Sequence, residues 1–197
     1  MPDDRSLQRL STQFDAIVRL PFGCVGVQTR DGCVEQISFL PGDAPCKPAT
    51  NALAQCAVEQ LITYCNDSSA AIDLPLSVHG TEFQRQVWRE IAAIPVGTTR
   101  TYGEIASRLN GEARAVGQAC GDNRLPLAIP CHRVVAATGI GGFAHHRAAS
   151  DERRAVPSSS RAPAGGGRGA AGGERDRYER IKRWLLLHEA GTELRLV

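Results

Sequence analysis

Hydrophobic and polar positions in the first third of the chain predict a small α+β unit. Apolar residues alternate with smaller or polar ones from Val25 to Thr29, a turn follows at residues 30–32, and a second apolar run extends from Val34 to Leu40. Two such runs around an Asp-Gly pair are typical of a β-hairpin. Apolar residues at helical spacing between Ala52 and Tyr64 then predict one helix.

A linker is predicted to divide the chain into two domains. Residues 66–78 are polar at first and then contain prolines, without a hydrophobic period. Segments of this composition are typical of connections between packed elements. We therefore expect an N-terminal α+β domain at residues 1–76 and a second domain at residues 77–197.

The second domain begins with a helix and continues with a predicted helix-turn-helix. Gly80-Thr81 is a plausible cap for an amphipathic helix, which residues 95–97 (Pro-Val-Gly) end. A short helix after Tyr102 and another from Glu112 to Cys120 flank an Asn-Gly turn at residues 110–111. The second helix of this pair is rich in Ala and Gly, and these small side chains would let its backbone approach a groove closely. Small side chains equally permit tight packing within the protein, and the pattern leaves both interpretations open.

Composition excludes several classes of protein. The chain has 197 residues, a net charge of +2 and no apolar run of signal-peptide or membrane-span length, so we expect a soluble, cytoplasmic monomer without membrane partners. Its seven cysteines are odd in number and show no CxxC spacing, which argues against a disulfide scaffold and a zinc ribbon. His79 is the only histidine before His132, and we expect neither a metal site nor a cofactor.

An insert rich in Gly, Ala, Ser, Pro and Arg is predicted at residues 147–177. Its composition cannot bury enough apolar surface to fold, so we expect it to be disordered. The stretch from Arg147 to Arg180 holds eight arginines against five acidic residues. These arginines could attract phosphates, although a solvated loop without function fits the composition better. A final helix is predicted from Tyr178 to Gly191.

The chemistry of the chain is concentrated at residues 129–133, Ile-Pro-Cys-His-Arg. A thiol attacks as thiolate, and a neighbouring base such as His132 is the usual means of forming it. By itself, an adjacent Cys-His pair is more often a buried cysteine beside a satisfied polar residue. Along an extended chain adjacent side chains diverge, so we expect a water to bridge Cys131 and His132.

The residues around this pair resemble one family. The stretch from Phe83 to Phe143 resembles the catalytic domain of the O6-alkylguanine-DNA alkyltransferases, also called methylated-DNA–protein-cysteine methyltransferases. Residues 182–189 are similar to the closing helix of that family. The matching pieces are Phe83–Trp88, Ile94–Gly97, Thr101-Tyr102, Arg114–Val116, Asn123 and Ile129–Val135.

The resemblance implies a fold and a reaction. The implied fold is α+β, with a small ribonuclease-H-like N-terminal domain and a winged-helix-like C-terminal domain that carries the helix-turn-helix. The implied reaction is irreversible transfer of an alkyl group from O6 of guanine in double-stranded DNA to Cys131, once per molecule. His132 would act as base through a water, and Glu189 would orient the histidine. Tyr102 would donate a hydrogen bond to the guanine ring.

The resemblance also implies residues that handle the DNA. Arg114 would fill the space left by the extruded nucleotide, and Asn123 would brace the turn behind the active-site strand. The backbone at Cys131 and Val134 would accept from the guanine amino group. A loop at residues 139–143, including Gly142 and Phe143, would cover the base, although the residues that follow it differ from the family pattern.

Three alternatives remain open. A cysteine hydrolase or acyltransferase would also use Cys131 and His132, but would not need a helix-turn-helix. A non-catalytic DNA-lesion-binding protein of the same fold would not need the cysteine. An active site disabled by the insert would leave a protein that binds DNA only.

Overall fold

The computed structural model describes residues 12–142 and 170–191. The predictions for Phe143 and for residues 147–169 of the insert lie outside the described residues. Within them, the chain is a mixed α/β structure with a three-stranded sheet, a two-stranded sheet and helices packed around both.

The N-terminal sheet is an antiparallel meander of β1 (Ala16–Leu20), β2 (Gly23–Arg30) and β3 (Cys33–Leu40). The predicted hairpin between β2 and β3 is confirmed. Asp31 and Gly32 have φ angles of 52° and 76°, the left-handed pair that a two-residue type I′ turn requires. The Asp-Gly sequence therefore sets the register of this half of the sheet.

Strand β1 is an element that the sequence pattern did not reveal. Ala16 and Ile17 point to opposite faces of the sheet, yet both are buried, because Ala16 joins the main core and Ile17 joins a second cluster. Burial on both faces removes the alternation that marks a half-exposed strand. The other members of the second cluster are Phe14, Cys24, Leu40 and Ala44.

Helix α1 (Ala52–Asn66) packs on this sheet through the face that includes Leu61 and Tyr64, and confirms the predicted helix. The segment predicted as a linker is held along the edge of β3. The Val34 amide donates to the Pro75 carbonyl at 2.7 Å, and the Ser77 amide donates to the Val34 carbonyl at 2.9 Å. These hydrogen bonds make the segment an ordered part of the sheet edge.

Helix α2 (Glu82–Ala92) begins at a capping box. Thr81 Oγ1 accepts from the Gln84 amide, and the Gln84 side chain accepts from the Thr81 amide, so two donors at the helix start are satisfied. Trp88 Nε1 donates to the Ala119 carbonyl at 2.8 Å. This bond ties α2 to the second helix of the helix pair.

The predicted helix pair is confirmed as α3 (Tyr102–Arg108) and α4 (Ala113–Gly121). The connection turns at Asn110, whose φ is 49°, and at Gly111. A Cβ on Gly111 would lie 2.9 Å from Cε2 of Phe83, so a larger residue there would require the Phe83 ring to shift.

A short parallel sheet brings distant segments together at the Cys-His pair. Strand β4 (Arg100–Thr101) pairs with β5 (Val134–Val135). The preceding residues Cys131–Arg133 form one 3₁₀ turn, so the extended conformation predicted for them is wrong. The turn arises because Pro130 cannot donate to a strand partner, while its carbonyl accepts from the Arg133 amide at 2.9 Å.

Helix α5 (Ala170–Glu189) closes the fold. The predicted disorder is wrong for residues 170–177, which lie in this helix. Ala, Glu and Arg are good helix formers, but the glycines among these residues made them resemble the insert.

One core runs through both predicted domains. It includes Val25 and Ile37 of the first sheet, Ile91 of α2 and Leu185 of α5. A second connection is polar, since the Ile37 amide donates to the Arg124 carbonyl at 2.9 Å. None of the described helices is long and apolar enough to cross a membrane.

Candidate active site

The thiol of Cys131 lies in the interior, with 2% of the residue exposed. Asn123 hydrogen-bonds the backbone that precedes Cys131. Its Nδ2 donates to the Ile129 carbonyl at 2.9 Å, and its Oδ1 accepts from the Leu125 amide at 3.0 Å. A short buried amide thus closes the loop between α4 and the 3₁₀ turn and fixes the position of the sulfur.

The side chains of His132 and Glu189 are hydrogen-bonded to each other. His132 Nε2 lies 2.8 Å from Glu189 Oε1, and the side chains of both are 1% exposed. Arg133, next in the chain, donates through Nε to Oε2 at 2.9 Å and through Nη2 to Oε1 at 2.8 Å. Its Nη1 also donates to the Ile94 carbonyl at 2.6 Å, so the guanidinium is held on two sides.

Two further donors complete the environment of this carboxylate. The Tyr64 hydroxyl, from α1, donates to Glu189 Oε1 at 2.7 Å. The Gly97 amide donates to Oε2 at 3.3 Å. The end of α5 is therefore held by side chains and backbone from both halves of the chain.

These contacts set the charges of the pair. Burial would raise the pKa of Glu189, but hydrogen bonds from His132, Arg133 and Tyr64 outweigh it and hold the pKa well below its ordinary value. Burial lowers the pKa of His132, against the opposing effect of Glu189. The pair at neutral pH is therefore a carboxylate and a neutral imidazole.

The tautomer of the imidazole follows from this charge state. An ionised carboxylate only accepts hydrogen bonds, so Nε2 of His132 must carry the proton that points to Glu189. The lone pair of the neutral ring is then on Nδ1. This nitrogen is the atom of His132 that can take a proton.

Cys131 is a thiol in this environment. Burial raises its pKa, while a hydrogen bond from Asn123 and the charge of Lys182 lower it in part. Lys182 is 0% exposed, and burial lowers its pKa to about 8. A buried cation beside the sulfur favours thiolate over thiol.

Lys182 also connects the walls of the pocket. Its Nζ donates to the Val134 carbonyl at 2.6 Å and to the Gly142 carbonyl at 2.8 Å. The Tyr102 hydroxyl donates to the same Gly142 carbonyl at 3.0 Å. Three residues predicted to contact guanine are thus already joined by hydrogen bonds around Lys182.

Arg114 lies apart from this network, in the first turn of α4. It is exposed, on the outer side of the helix pair, whereas Val116, Ala119 and Cys120 of the same helix are buried. Of the small residues of α4, Ala119 is buried, whereas Ala113 is exposed like Arg114.

Residues 82–156 match the family described as "6-O-methylguanine DNA methyltransferase, DNA binding domain". A protein of Acanthamoeba polyphaga mimivirus, named probable methylated-DNA–protein-cysteine methyltransferase, is 36% identical over 132 residues, which cover 66% of this chain and 86% of that protein. The chain belongs to the methylated-DNA–protein-cysteine methyltransferase family.

Other members of this methyltransferase family are similar over part of their length. The methyltransferase of Mycolicibacterium paratuberculosis is 49% identical over 85 residues, which cover 42% of this chain and 52% of that protein. The chain thus spans about half the length of this relative. Crystal structures of Mycobacterium tuberculosis OGT are similar too: one is 27% identical with a TM-score of 0.63, covering 92% of this chain and 94% of that one. Another, in complex with DNA, is 32% identical with a TM-score of 0.55, covering 65% and 82%.

The sequence pattern assigns no role to three polar residues of the site, which are Arg133, Lys182 and Tyr64. Arg133 stood in the Cys-His-Arg run, but its partner Glu189 is 56 residues away. Lys182 and Tyr64 stood at helical positions typical of a buried stripe. For Lys182, a charged residue between Ile181 and Leu185 of that stripe was a usable signal.

Proposed function

We propose that the chain repairs double-stranded DNA by moving an alkyl group from O6 of guanine to Cys131, irreversibly and once per molecule. The observation that carries this proposal is the buried Cys131 followed by His132, whose Nε2 lies 2.8 Å from Glu189. A nucleophile, a base and a group that orients the base form the general arrangement for activating a thiol. Membership of the methyltransferase family supports the choice of alkyl group and DNA.

The proposed transfer begins with loss of the Cys131 proton. The proton passes through a water to Nδ1 of His132, and Glu189 stabilises the resulting imidazolium. The thiolate then attacks the alkyl carbon, an S–C bond forms, and the electrons of the C–O6 bond remain on guanine. A hydrogen bond from Tyr102 to the ring stabilises the negative charge that develops on guanine, and guanine becomes neutral by taking up one proton, in net the proton that Cys131 lost. Because the thioether has no easy route to hydrolysis, the protein is consumed.

Guanine O6 is inaccessible to a buried thiol while the base is stacked, so the nucleotide must leave the duplex. Extrusion costs a few kcal/mol. We propose that α4 lies along the DNA as the second helix of a helix-turn-helix and that Arg114 occupies the vacated space. The exposed position of Arg114 at the start of α4 supports this role.

The extruded base would enter beside the carbonyls of Val134 and Gly142. In this proposal, the amino group of guanine is received by the carbonyls of Cys131 and Val134, and Tyr102 exchanges its bond to Gly142 for one to the base. The burial of Cys131 supports such a rearrangement, because the sulfur has almost no exposed surface. Phe143, outside the described residues, remains a predicted part of the cover.

We also propose the finer architecture that the family implies. The N-terminal domain, residues 1–76, would be ribonuclease-H-like, and residues 77–197 would be a winged-helix-like domain. The meander of β1 to β3 with α1 packed on it supports the first assignment. The helix pair beside the short sheet of β4 and β5 supports the second.

The rival functions predict different stoichiometry. A cysteine hydrolase would regenerate its thiol, and a non-catalytic lesion-binding protein would leave the thiol unmodified. The test is to titrate the protein with duplex DNA that contains O6-methylguanine and to follow intact protein mass. We expect one methyl group per chain at saturation, no turnover of an activated ester, and no transfer by Cys131→Ser, which still binds the duplex. Repeated turnover, or binding without a change in mass, would overturn the proposal.

A further inference from the structure

We propose that Tyr64, which belongs to the N-terminal domain, is a positioning residue of the alkyl-transfer site and holds Glu189 in place for His132. The inference rests on the proposed function and extends it to a domain that has no chemical motif of its own. It concerns a hydroxyl that lies behind the histidine, 125 residues from the glutamate in sequence.

The geometry gives the Tyr64 hydroxyl direct access to the carboxylate. It donates to Oε1 of Glu189 at 2.7 Å, and the same oxygen lies 2.8 Å from Nε2 of His132. Tyr64 is 3% exposed, so water does not replace this bond. The oxygen that orients the base is therefore the one that Tyr64 holds.

The tyrosine ring is itself fixed by its neighbours. It meets the His188 ring edge to face, with centroids 5.5 Å apart, and His188 is stacked on Trp184 at 4.8 Å. His188 Nε2 lies 2.7 Å from the Tyr64 carbonyl. Because α5 contacts both the ring and the backbone of Tyr64, the hydroxyl cannot move away from Glu189 without disturbing this packing.

The hydroxyl remains a donor throughout the reaction. Burial and the adjacent charge of Glu189 both raise the pKa of Tyr64, so the phenol keeps its proton. The carboxylate is faced by His132 and Arg133 from the 3₁₀ turn, by Tyr64 from α1 and by the Gly97 amide from the loop after α2. His132 is in turn influenced by the charges of Arg133 and Lys182.

Loss of the Tyr64 hydroxyl should raise the pKa of His132. A carboxylate that lacks one hydrogen bond holds more charge on Oε1, so it stabilises the imidazolium more strongly and raises the pKa of His132. The carboxylate is also less well fixed, so the base is less often oriented for proton transfer. The hydrogen bonds and ring contact of Tyr64 are with Glu189 and His188 rather than with the residues proposed to hold guanine, so affinity for a free base should not change.

The experiment compares Tyr64→Phe with Thr63→Val in the full-length chain. Both remove one hydroxyl from neighbouring residues of α1, but Thr63 is exposed and donates to the Glu59 carbonyl. Reaction with free O6-benzylguanine gives a maximal rate and a half-saturating concentration across a range of pH. For Tyr64→Phe we expect a roughly tenfold lower maximal rate, an unchanged half-saturating concentration and an acid limb about half a unit higher in pH. Thr63→Val should match the unmodified protein.

NMR titration of the His132 imidazole provides a readout that does not require transfer. We expect its pKa to rise in Tyr64→Phe and not in Thr63→Val. A merely structural role would lower the thermal midpoint without shifting either the rate profile or this pKa, and would overturn the inference. If the unmodified protein transfers nothing, the proposed function fails, while the NMR shift still decides whether Tyr64 acts on the His132–Glu189 pair.

Discussion

The carboxylate of Glu189 accepts hydrogen bonds from four residues of the described chain: His132, Arg133, Tyr64 and Gly97. Three of them come from segments distant from one another in sequence. Such a group both orients the histidine and balances the buried guanidinium of Arg133. Its removal should therefore affect chemistry and stability together.

Glu189→Gln should slow transfer to free O6-benzylguanine by about 10²- to 10⁴-fold, the range of a positioned general base. It should also lower the free energy of unfolding by about 3–5 kcal/mol, because Arg133 is left as an uncompensated buried charge. Single-turnover rates and urea unfolding check the two effects. Glu179→Gln is the control on the same helix, since its ion pair with Arg183 is exposed and worth about 0.5 kcal/mol. Similar losses in both variants would contradict the prediction.

Among single residues, the sequence predicts those whose functional partner is adjacent in the chain. Cys131 and His132 can be predicted from the sequence because they are adjacent within a specific run. Glu189 can be predicted because of the family resemblance. The role of Tyr64 cannot be predicted in this way, since its hydrogen-bond partner is 125 residues away. A periodic pattern identifies a buried tyrosine, but it does not say where the hydroxyl points.

Helix α4 is the element that we propose to contact DNA. Arg114→Ala should slow repair of O6-methylguanine in duplex DNA by about tenfold to a hundredfold, because an inserted side chain offsets a few kcal/mol of base extrusion. Reaction with free O6-benzylguanine should stay the same, since Arg114 does not line the pocket. Parallel rate measurements on the two substrates check this. Equal losses on both would mean that Arg114 supports the fold or the pocket instead.

The connection after α2 depends on one glycine. Gly97 has a φ of +73°, and a Cβ there would lie 2.9 Å from the Glu189 carbonyl oxygen. Gly97→Ala should destabilise the fold by at least about 1–2 kcal/mol for the left-handed backbone, and it should slow transfer by displacing the end of α5. Gly103→Ala, in α3 with only Thr101 at 3.9 Å, should be neutral or stabilising. Urea unfolding that shows equal stability for the two variants would refute this.

The sequence predicts elements that a few consecutive residues determine, and it does not predict elements that depend on distant contacts. The conformation of the Asp31-Gly32 turn and that of the Thr81 cap are each determined by a few neighbouring residues. Strand β1 has no such signal, because both of its faces are buried. The start of α5 at Ala170 was missed because glycines and the insert's composition conceal good helix formers.

For the whole molecule, the buried charges predict a loss of stability in acid. The folded state lowers the pKa of both His132 and Glu189, so the unfolded chain binds protons first. The resulting stability should be present above each ordinary value, and should fall below about pH 6.5 for His132 and below about pH 4.5 for Glu189. Each proton contributes at most about 1.4 kcal/mol per pH unit.

Urea unfolding of the unmodified protein and Glu189→Gln across this range checks the prediction. The difference in free energy of unfolding should be constant near neutral pH and should shrink below about pH 4.5, where the carboxylate of the unfolded chain takes up its proton. A difference that stays constant through strong acid would show that Glu189 is not held ionised by the fold.

One continuous core joins the two predicted domains. Residues of both contribute to one hydrophobic cluster, and Tyr64 and Glu189 join them at the site. Sequence pattern separated the halves at the proline-containing segment, because pairing of that segment with Val34 depends on a contact distant in sequence.

Transfer of the alkyl group to Cys131 has one direct test. Trypsin cleaves after Arg114, Arg124 and Arg133, so residues 115–124 carry Cys120 and residues 125–133 carry Cys131 in separate peptides. After reaction with duplex DNA that contains O6-methylguanine, mass spectrometry should find the added methyl group on residues 125–133 alone, in an amount equal to the DNA consumed. A methyl group on residues 115–124 or on any other peptide, or an unmodified Cys131 peptide after repair, would contradict the account.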